Sequence, residues 1–261
     1  ADLIVSTLPF CSKVVSDYKQ SSGSTIPLIT CITDVSSHSE WIQSNTDFYL
    51  VAAPKLKDEL TRKGVAPQRI MVSGIPVRGA FQAQGAETAQ AKEKRILMMG
   101  GGLGLLPKSK SFYEEINRLD GVKTTVITGN NTRLYNALTE KYENIEVLAY
   151  TNDVPSYMKR ADLLISKPGG ITVFEAISAK LPLLMFPPFL QQEMKNGRFL
   201  LENSLGDTLP DDRSAWIDKI RSVLDDDEMR GHMKENMRRF QSCLEEDALL
   251  RAIHPYGLQC V

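Results

Sequence analysis

From residue 95 onward, short apolar runs alternate with longer mixed segments, and this alternation constrains the fold more than any other feature of the chain. RILMM (95–99) leads through a glycine-rich turn to a helical stretch around 109–119. KTTVIT (123–128) precedes a helix near 131–142, and IEVLAY (145–150) precedes one near 154–160. DLLIS (162–166) runs into ITVFEAISA (171–179), and PLLMF (182–186) into a helix around 191–203. A brief DTL and two charged helical segments follow. Strands this uniformly apolar are buried on both faces, which requires helices above and below a parallel sheet. The predicted class is α/β, a doubly wound Rossmann-like layer.

The first 80 residues read as a shorter version of the same pattern. DLIVS, PLITCI and DFYLVA are strands, RIMVS is a fourth, and PKLKDELTRKG (54–64) is a helix stopped by Gly64. The stretch around 74–95 has no period and is rich in Ala, Gly and Gln. The expected organisation is therefore a partial domain over 1–80, a linker over 81–94 and a complete domain over 95–261. A strand begins immediately after Ala1, which predicts an upstream portion, and with it slow turnover by these 261 residues alone.

Composition removes several classes. Thirty-one basic against 32 acidic residues leave a formal charge of −1, so the positive field of a nucleic-acid binder is missing. No apolar run approaches the ~18 residues needed to span a bilayer. Cys11, Cys31, Cys243 and Cys260 never form CxxC, and His38, His232 and His254 show no metal-ligand spacing. The carboxylate runs PDDR (210–213) and LDDDE (224–228) could hold a metal or simply occupy helix starts. No metal is expected, and a reducing, cytoplasmic location is.

The strongest local motif is LLISKPGGITVFEA (163–176). A buried strand turns through Lys167, Pro168, Gly169 and Gly170 into a helix starting near Ile171. Two glycines let a ligand approach the backbone, and the new helix offers free N–H groups and its dipole to a phosphate. Lys167 adds a positive charge, and Glu175, about one turn in, can accept from ribose hydroxyls. The plainer alternative is a tight turn in which Thr172 and Glu175 only cap the helix.

Three other segments bear on function. ILMMGGGLGLLPKS (96–109) places Gly101 and Gly102 where a strand feeds a helix, yet the next strand ends in Thr128-Gly129-Asn130-Asn131 without the acid a dinucleotide fold wants. PFLQQEMKNGRF (188–199) brings Gln191, Gln192, Glu193 and Asn196 together, a set suited to sugar hydroxyls or to an ordinary solvated helix turn. In TDVSSHSEW (33–41), Asp34 and His38 share a face if the segment is helical, as an acid–base pair or as a cap and a surface histidine.

In this order, TDVSSHSEW, DFYLVA, GIPVRGAF, ILMMGGGLG, VITGNN, SKPGGITVFEA and QQEMKN resemble the diacylglycerol glycosyltransferases: plant monogalactosyldiacylglycerol synthases and bacterial processive diacylglycerol glucosyltransferases of glycosyltransferase family 28. The resemblance implies the two-domain glycosyltransferase-B fold, with the donor on the C-terminal half and the acceptor on the N-terminal half. It puts Gly101 and Gly102 near the pyrophosphate, Gly129 and Asn131 near the nucleoside, and the backbone at Thr151 on the uracil edge. It puts Lys167 and Glu175 on the ribose, Gly169, Gly170 and Ile171 at the phosphates, and Gln192, Glu193 and Asn196 around the sugar. Gln191 stands where relatives often have Gly.

The expected activity is transfer of a hexose from a UDP-sugar to a lipid hydroxyl, diacylglycerol by the resemblance, with no cofactor. Asp34 and His38 are the local candidates for the base. Residues 55–78 carry six basic side chains against two acidic ones, a contact for an anionic membrane face or a solvated surface. A UDP-GlcNAc transferase acting on a polyprenyl-linked wall precursor shares the donor motifs. A nucleotide-sugar-binding module without turnover is the competing reading from another class.

Overall fold

The structure, a computed structural model, describes residues 1–81 and 93–257. It divides into two compact units, Ala1–Pro76 together with Ser242–Val261, and Val77–Gln241.

The first unit is built on four parallel strands, β1 (Ile4–Ser6), β2 (Leu28–Cys31), β3 (Phe48–Val51) and β4 (Ile70–Val72), in the order β1-β2-β3-β4. All four were legible as apolar runs. Between β1 and β2 lies an unanticipated helix, α1 (Pro9–Ser22). Its buried residues are Ser12 and Ser16, while Phe10, Val14 and Tyr18 are 76%, 50% and 56% exposed. The inward hydroxyls form a closed network. Ser12 donates to Ser6 Oγ (2.9 Å) and accepts from Thr30 (3.1 Å), which lies 3.1 Å from Thr46. Small side chains bring the helix close to the sheet, and the network satisfies polar groups that burial would otherwise penalise. The second helix, α2 (Pro54–Arg62), starts at a proline and inserts Leu56 and Leu60, one turn apart.

The second unit contains β5 (Lys94–Met99), α3 (Lys110–Asn117), β6 (Val122–Ile127), α4 (Thr132–Leu138), β7 (Ile145–Leu148) and α5 (Val154–Arg160). Then come β8 (Leu163–Ser166), α6 (Gly170–Ala179), β9 (Leu183–Met185), α7 (Gln191–Glu202), β10 (Gly206–Thr208), α8 (Trp216–Asp225) and α9 (Asp227–Ser242). The six strands are parallel, in the order β10-β9-β8-β5-β6-β7. That is the doubly wound arrangement expected from the alternation. Ile96, Met98, Val126, Leu163, Ile165 and Leu184 join α3, α4 and α8 in one core. The intervening residues face the other way. Met185 meets Gly197 of α7, where an added Cβ would lie 2.9 Å from its sulfur. Phe174, Phe199 and Phe240 tie α6, α7 and α9 together in a ring cluster.

The domain boundaries differ from expectation at two places. The expected linker, 81–94, falls mostly on 82–92, outside the described residues, and Lys94 already belongs to β5. The expected second domain ran to 261, yet Ser242–Val261 groups with the first unit. The reason is helix α10 (Ala248–Ile253), whose Ala248, Ala252 and Ile253 are buried against Ile29, Cys31, Leu50 and Met71. Just before it, Glu245 completes the open edge of β4: its N–H donates to the Val72 carbonyl (2.7 Å), and its carboxylate accepts the Val72 N–H (2.9 Å).

Candidate functional site

The strand order of the second unit reverses between β5 and β8, which lie side by side with Met99 opposite Ser166. Ligands of open α/β sheets bind at the carboxyl ends of strands beside such a reversal. Both glycine motifs leave the sheet here. Ser166 donates to the Met99 carbonyl (2.7 Å), fixing the two strand ends together.

The turn after β5 interlocks with the turn after β6. Gly104 must be glycine: its φ is +58°, and a Cβ would fall 1.8 Å from the Thr128 carbonyl. Gly129 is equally confined, with the Gly102 carbonyl 2.6 Å from where its Cβ would stand. Asn131 holds both turns, its Nδ2 donating to Gly104 O (3.0 Å) while its Oδ1 caps α4 at the Leu134 N–H (3.0 Å). Its side chain is thus committed to shaping the turns. By contrast, a Cβ on Gly102 or Gly169 would meet nothing within 4 Å. Gly169 also has an ordinary φ of −71°. Glycine at this N-cap position is ordinary, and the open space beside it leaves room for a ligand to approach the backbone.

At α6, Gly169 is the N-cap and no side chain caps the helix, so Glu175 is not a capping residue. The N–H groups of Gly170 and Ile171 are first-turn donors with no intrahelical acceptor. Lys167 does not extend freely into the turn. Its ammonium pairs with Glu193 at 3.0 Å, and the Glu193 side chain is only 5% exposed. Asn196, fully buried, donates from Nδ2 to the Pro168 carbonyl (3.0 Å) and so supports the Pro-Gly-Gly turn from below. Gln192 is exposed at the start of α7, and Ile171 at the start of α6 is 45% exposed.

Glu175 lies one helical turn and a half into α6. Burial drives its carboxyl up to about 7, against the opposing pull of Arg78. Arg78 donates from Nη1 to the Asn152 carbonyl (3.1 Å) and lies over the Phe81 ring. One guanidinium thereby connects Glu175 with the loop that contains Thr151, whose hydroxyl accepts the Asp153 N–H (3.1 Å). Arg78 was not assigned to the site from sequence. Almost a hundred residues separate it from Glu175, and only its place in GIPVRGAF marked it.

Asp34 and His38 belong to the first unit, and the helical premise for them fails. Residues 34–38 are bends and coil leading into a 3-10 turn, Ser39–Trp41, which His38 caps by accepting the Glu40 N–H at Nδ1 (3.4 Å). Among the described residues, no three His, Cys, Asp or Glu side chains gather as a metal site. The aspartate runs serve as caps and ion pairs instead: Asp212 at the Ser214 N–H (2.9 Å), Asp226 at the Met229 N–H (2.7 Å), Asp227 with Lys94 and Arg230. The basic run 55–78 is also partly spent within the fold. Lys57 faces Glu245, Lys63 donates to the Ser37 carbonyl, Arg69 to that of Asp47 and Arg78 to that of Asn152.

Two family descriptions divide the chain between them. "Monogalactosyldiacylglycerol (MGDG) synthase" matches residues 1–77, and "Glycosyltransferase family 28 C-terminal domain" matches 96–249, more than half of the chain. The chain belongs to glycosyltransferase family 28. Among curated relatives, the processive diacylglycerol beta-glucosyltransferase of Bacillus subtilis is 28% identical over 97% of this chain and 68% of its own length. The enzyme of the same name from Staphylococcus carnosus is 30% identical over 91% of this chain and 63% of its own. The chain thus spans roughly two thirds of these relatives. Its fold is that of Acinetobacter baumannii MurG (TM-score 0.70, 14% identity, 98% of this chain and 74% of that one) and of S. aureus MnaA in a UDP co-structure (0.70, 15%, 98% and 74%). The architecture is therefore of the glycosyltransferase-B type, as the family 28 motifs implied. At such identities the likeness concerns fold alone, since one fold hosts many activities.

Proposed function

We propose that this family 28 chain transfers a hexose from a UDP-sugar to a lipid hydroxyl, with diacylglycerol as the acceptor. The observation that carries the reading is the sheet reversal in the second unit. There, glycine turns with room for a ligand, an uncapped helix N-terminus and a half-buried acid with a raised pKa all follow from one sheet edge. In this reading the diphosphate lies against the backbone of Gly101, Gly102, Gly169, Gly170 and Ile171. Glu175 accepts from the ribose hydroxyls, the backbone at Thr151 meets the uracil, and Gln192 meets the sugar. The acceptor hydroxyl attacks the anomeric carbon, its proton passes to a base, and UDP departs with its charge held by N–H donors.

The acceptor is supported by the match of residues 1–77 and by the names of the curated relatives. A lipid acceptor places the work at a bilayer surface. Among the described residues no helix is long and apolar enough to cross a membrane, and the proposed contact with the bilayer is through the surface of the first unit. The exposed Phe10, Val14 and Tyr18 supply apolar surface for it, and Lys55 and Arg62 on α2 supply charge.

The test is transfer of radiolabelled glucose or galactose from its UDP ester to diacylglycerol in mixed micelles, with a polyprenyl-diphosphate sugar as the competing acceptor. Labelled glycosyl-diacylglycerol is the expected product. Labelling of the polyprenyl substrate alone would assign the acceptor to the wall-precursor class. Tight UDP-sugar binding without any transfer would identify a binding module.

A further inference from the structure

We propose that Lys167 and Glu193 exchange partners when the donor binds, so that retention of a nucleotide depends on the sugar it carries. The inference rests on the reading of this site as one for a sugar nucleotide.

The pair is placed for such an exchange. Lys167 Nζ lies 3.0 Å from Glu193 Oε1, with the two side chains 29% and 5% exposed. The lysine stem runs along the glycine turn: a Cβ added to Gly101 would stand 3.4 Å from Lys167 Cε. Its ammonium is therefore within a side-chain rotation of the backbone donors that face the diphosphate. Glu193 sits in the first turn of α7, next to the exposed Gln192. Each member thus has the other as its partner now and would gain a different one when the site fills: the diphosphate for Lys167, sugar hydroxyls for Glu193.

A nearly buried carboxylate is tolerated because the ammonium compensates it, and removing that compensation alone is strongly unfavourable. A diphosphate carries more negative charge than one carboxylate and draws the ammonium toward it. Glu193 is then stranded unless other donors reach it. Sugar hydroxyls are such donors, and the neighbouring Gln192 marks where a sugar would lie. A nucleotide without sugar breaks the ion pair and leaves the carboxylate unsatisfied. A sugar nucleotide breaks it and replaces it. The pair thereby disfavours the spent nucleotide relative to the fresh donor, which would assist release of UDP after transfer.

Calorimetric titration with UDP and with UDP-glucose separates the outcomes. In Glu193→Gln the ammonium is free from the start, so UDP should bind severalfold tighter than to the wild type while UDP-glucose binds more weakly. In Lys167→Gln the further change Glu193→Gln should no longer tighten UDP, because the coupling between the two positions is what the cycle measures. UDP affinity that is unchanged or reduced in Glu193→Gln, or an equal gain in the Lys167→Gln background, would overturn the exchange. Equal weakening of both ligands together with a lowered Tm would make the pair a purely structural strut. Should circular dichroism show Glu193→Gln unfolded, Glu193→Ala carries the same expectations. A wild-type chain that binds neither ligand would instead refute the sugar-nucleotide reading itself.

Discussion

In the proposed reading Glu175 is the side chain whose ionisation matters most to donor binding. Its carboxyl titrates at about 7 because burial disfavours the ion more than Arg78 favours it. A ribose diol needs an acceptor, and the ionised form is the better one. Binding of UDP-glucose should therefore release a proton, and affinity should rise about tenfold between pH 6 and pH 8 as the free carboxyl ionises. UDP-glucose is the right probe, since the terminal phosphate of UDP itself titrates near pH 6. Calorimetry should find this slope in the wild type and none in Glu175→Gln. A slope that persists in the variant would place the titrating group elsewhere. The same shift acts on folding with the opposite trend. The folded state holds the proton more tightly than the unfolded one, so the contribution of Glu175 to stability is fully present below about 4.5 and falls as pH rises toward 7. Sequence indicated the position of Glu175 after the glycine turn. It could not indicate the counter-charge from Arg78, because nothing local relates residues so far apart in the chain.

At the scale of elements, two helices answer different questions. The N-terminus of α6 is uncapped and stands beside Lys167, so in the proposed reading N–H donors and an ammonium would carry the charge of a departing diphosphate without a divalent ion. Transfer should accordingly survive excess EDTA, and abolition by the chelator with restoration by Mg²⁺ would contradict this. Helix α1 concerns stability instead. Ser12→Ala would leave Ser6 and Thr30 with a missing partner in a fully buried network, at a cost of about 1–3 kcal/mol. Urea unfolding of the first unit should show it as a lower midpoint, and an unchanged midpoint would mean that water replaces the hydroxyl. These helices also explain what was legible beforehand. The helices α2 to α7 follow strands or turns whose apolar spacing marks them, and each of α2, α3, α6 and α7 buries apolar side chains. α1 hides behind an inverted pattern, serines inward and Phe10, Val14 and Tyr18 outward, so hydrophobic periodicity points away from its packed face. Likewise Asn196 reads as a sugar ligand by type and spacing, yet its amide is buried under Pro168.

Over the whole molecule, the linear order of segments and the division into units part company at residue 242. Charged helical sequence near the end reads as a continuation of the second domain, because no local signal distinguishes a helix that stays from one that returns to an earlier sheet. The return is decided by Ala248, Ala252 and Ile253, which fit against strands more than 170 residues earlier in the chain, and by Glu245 at the edge of β4. An edge strand presents unpaired backbone groups, and Glu245 occupies two of them at Val72. The stability of the first unit should therefore depend on the last helix, and that of the second should not. Ile253→Ala removes a side chain that is 4% exposed and touches the core of β2, β3 and β4. The expected loss is about 2–4 kcal/mol, typical of a large aliphatic residue replaced by alanine in a core. Hydrogen exchange resolves where that loss falls: amides of Leu50 and Met71 should exchange faster by roughly one and a half to three orders of magnitude, while those of Leu164 and Ile165 in β8 keep their wild-type rates. UDP-glucose affinity should stay unchanged, since every donor-side group named above lies within Val77–Gln241. Equal acceleration in both sheets would show that the two units unfold as one, and the return of α10 would then stabilise the entire chain rather than the first unit.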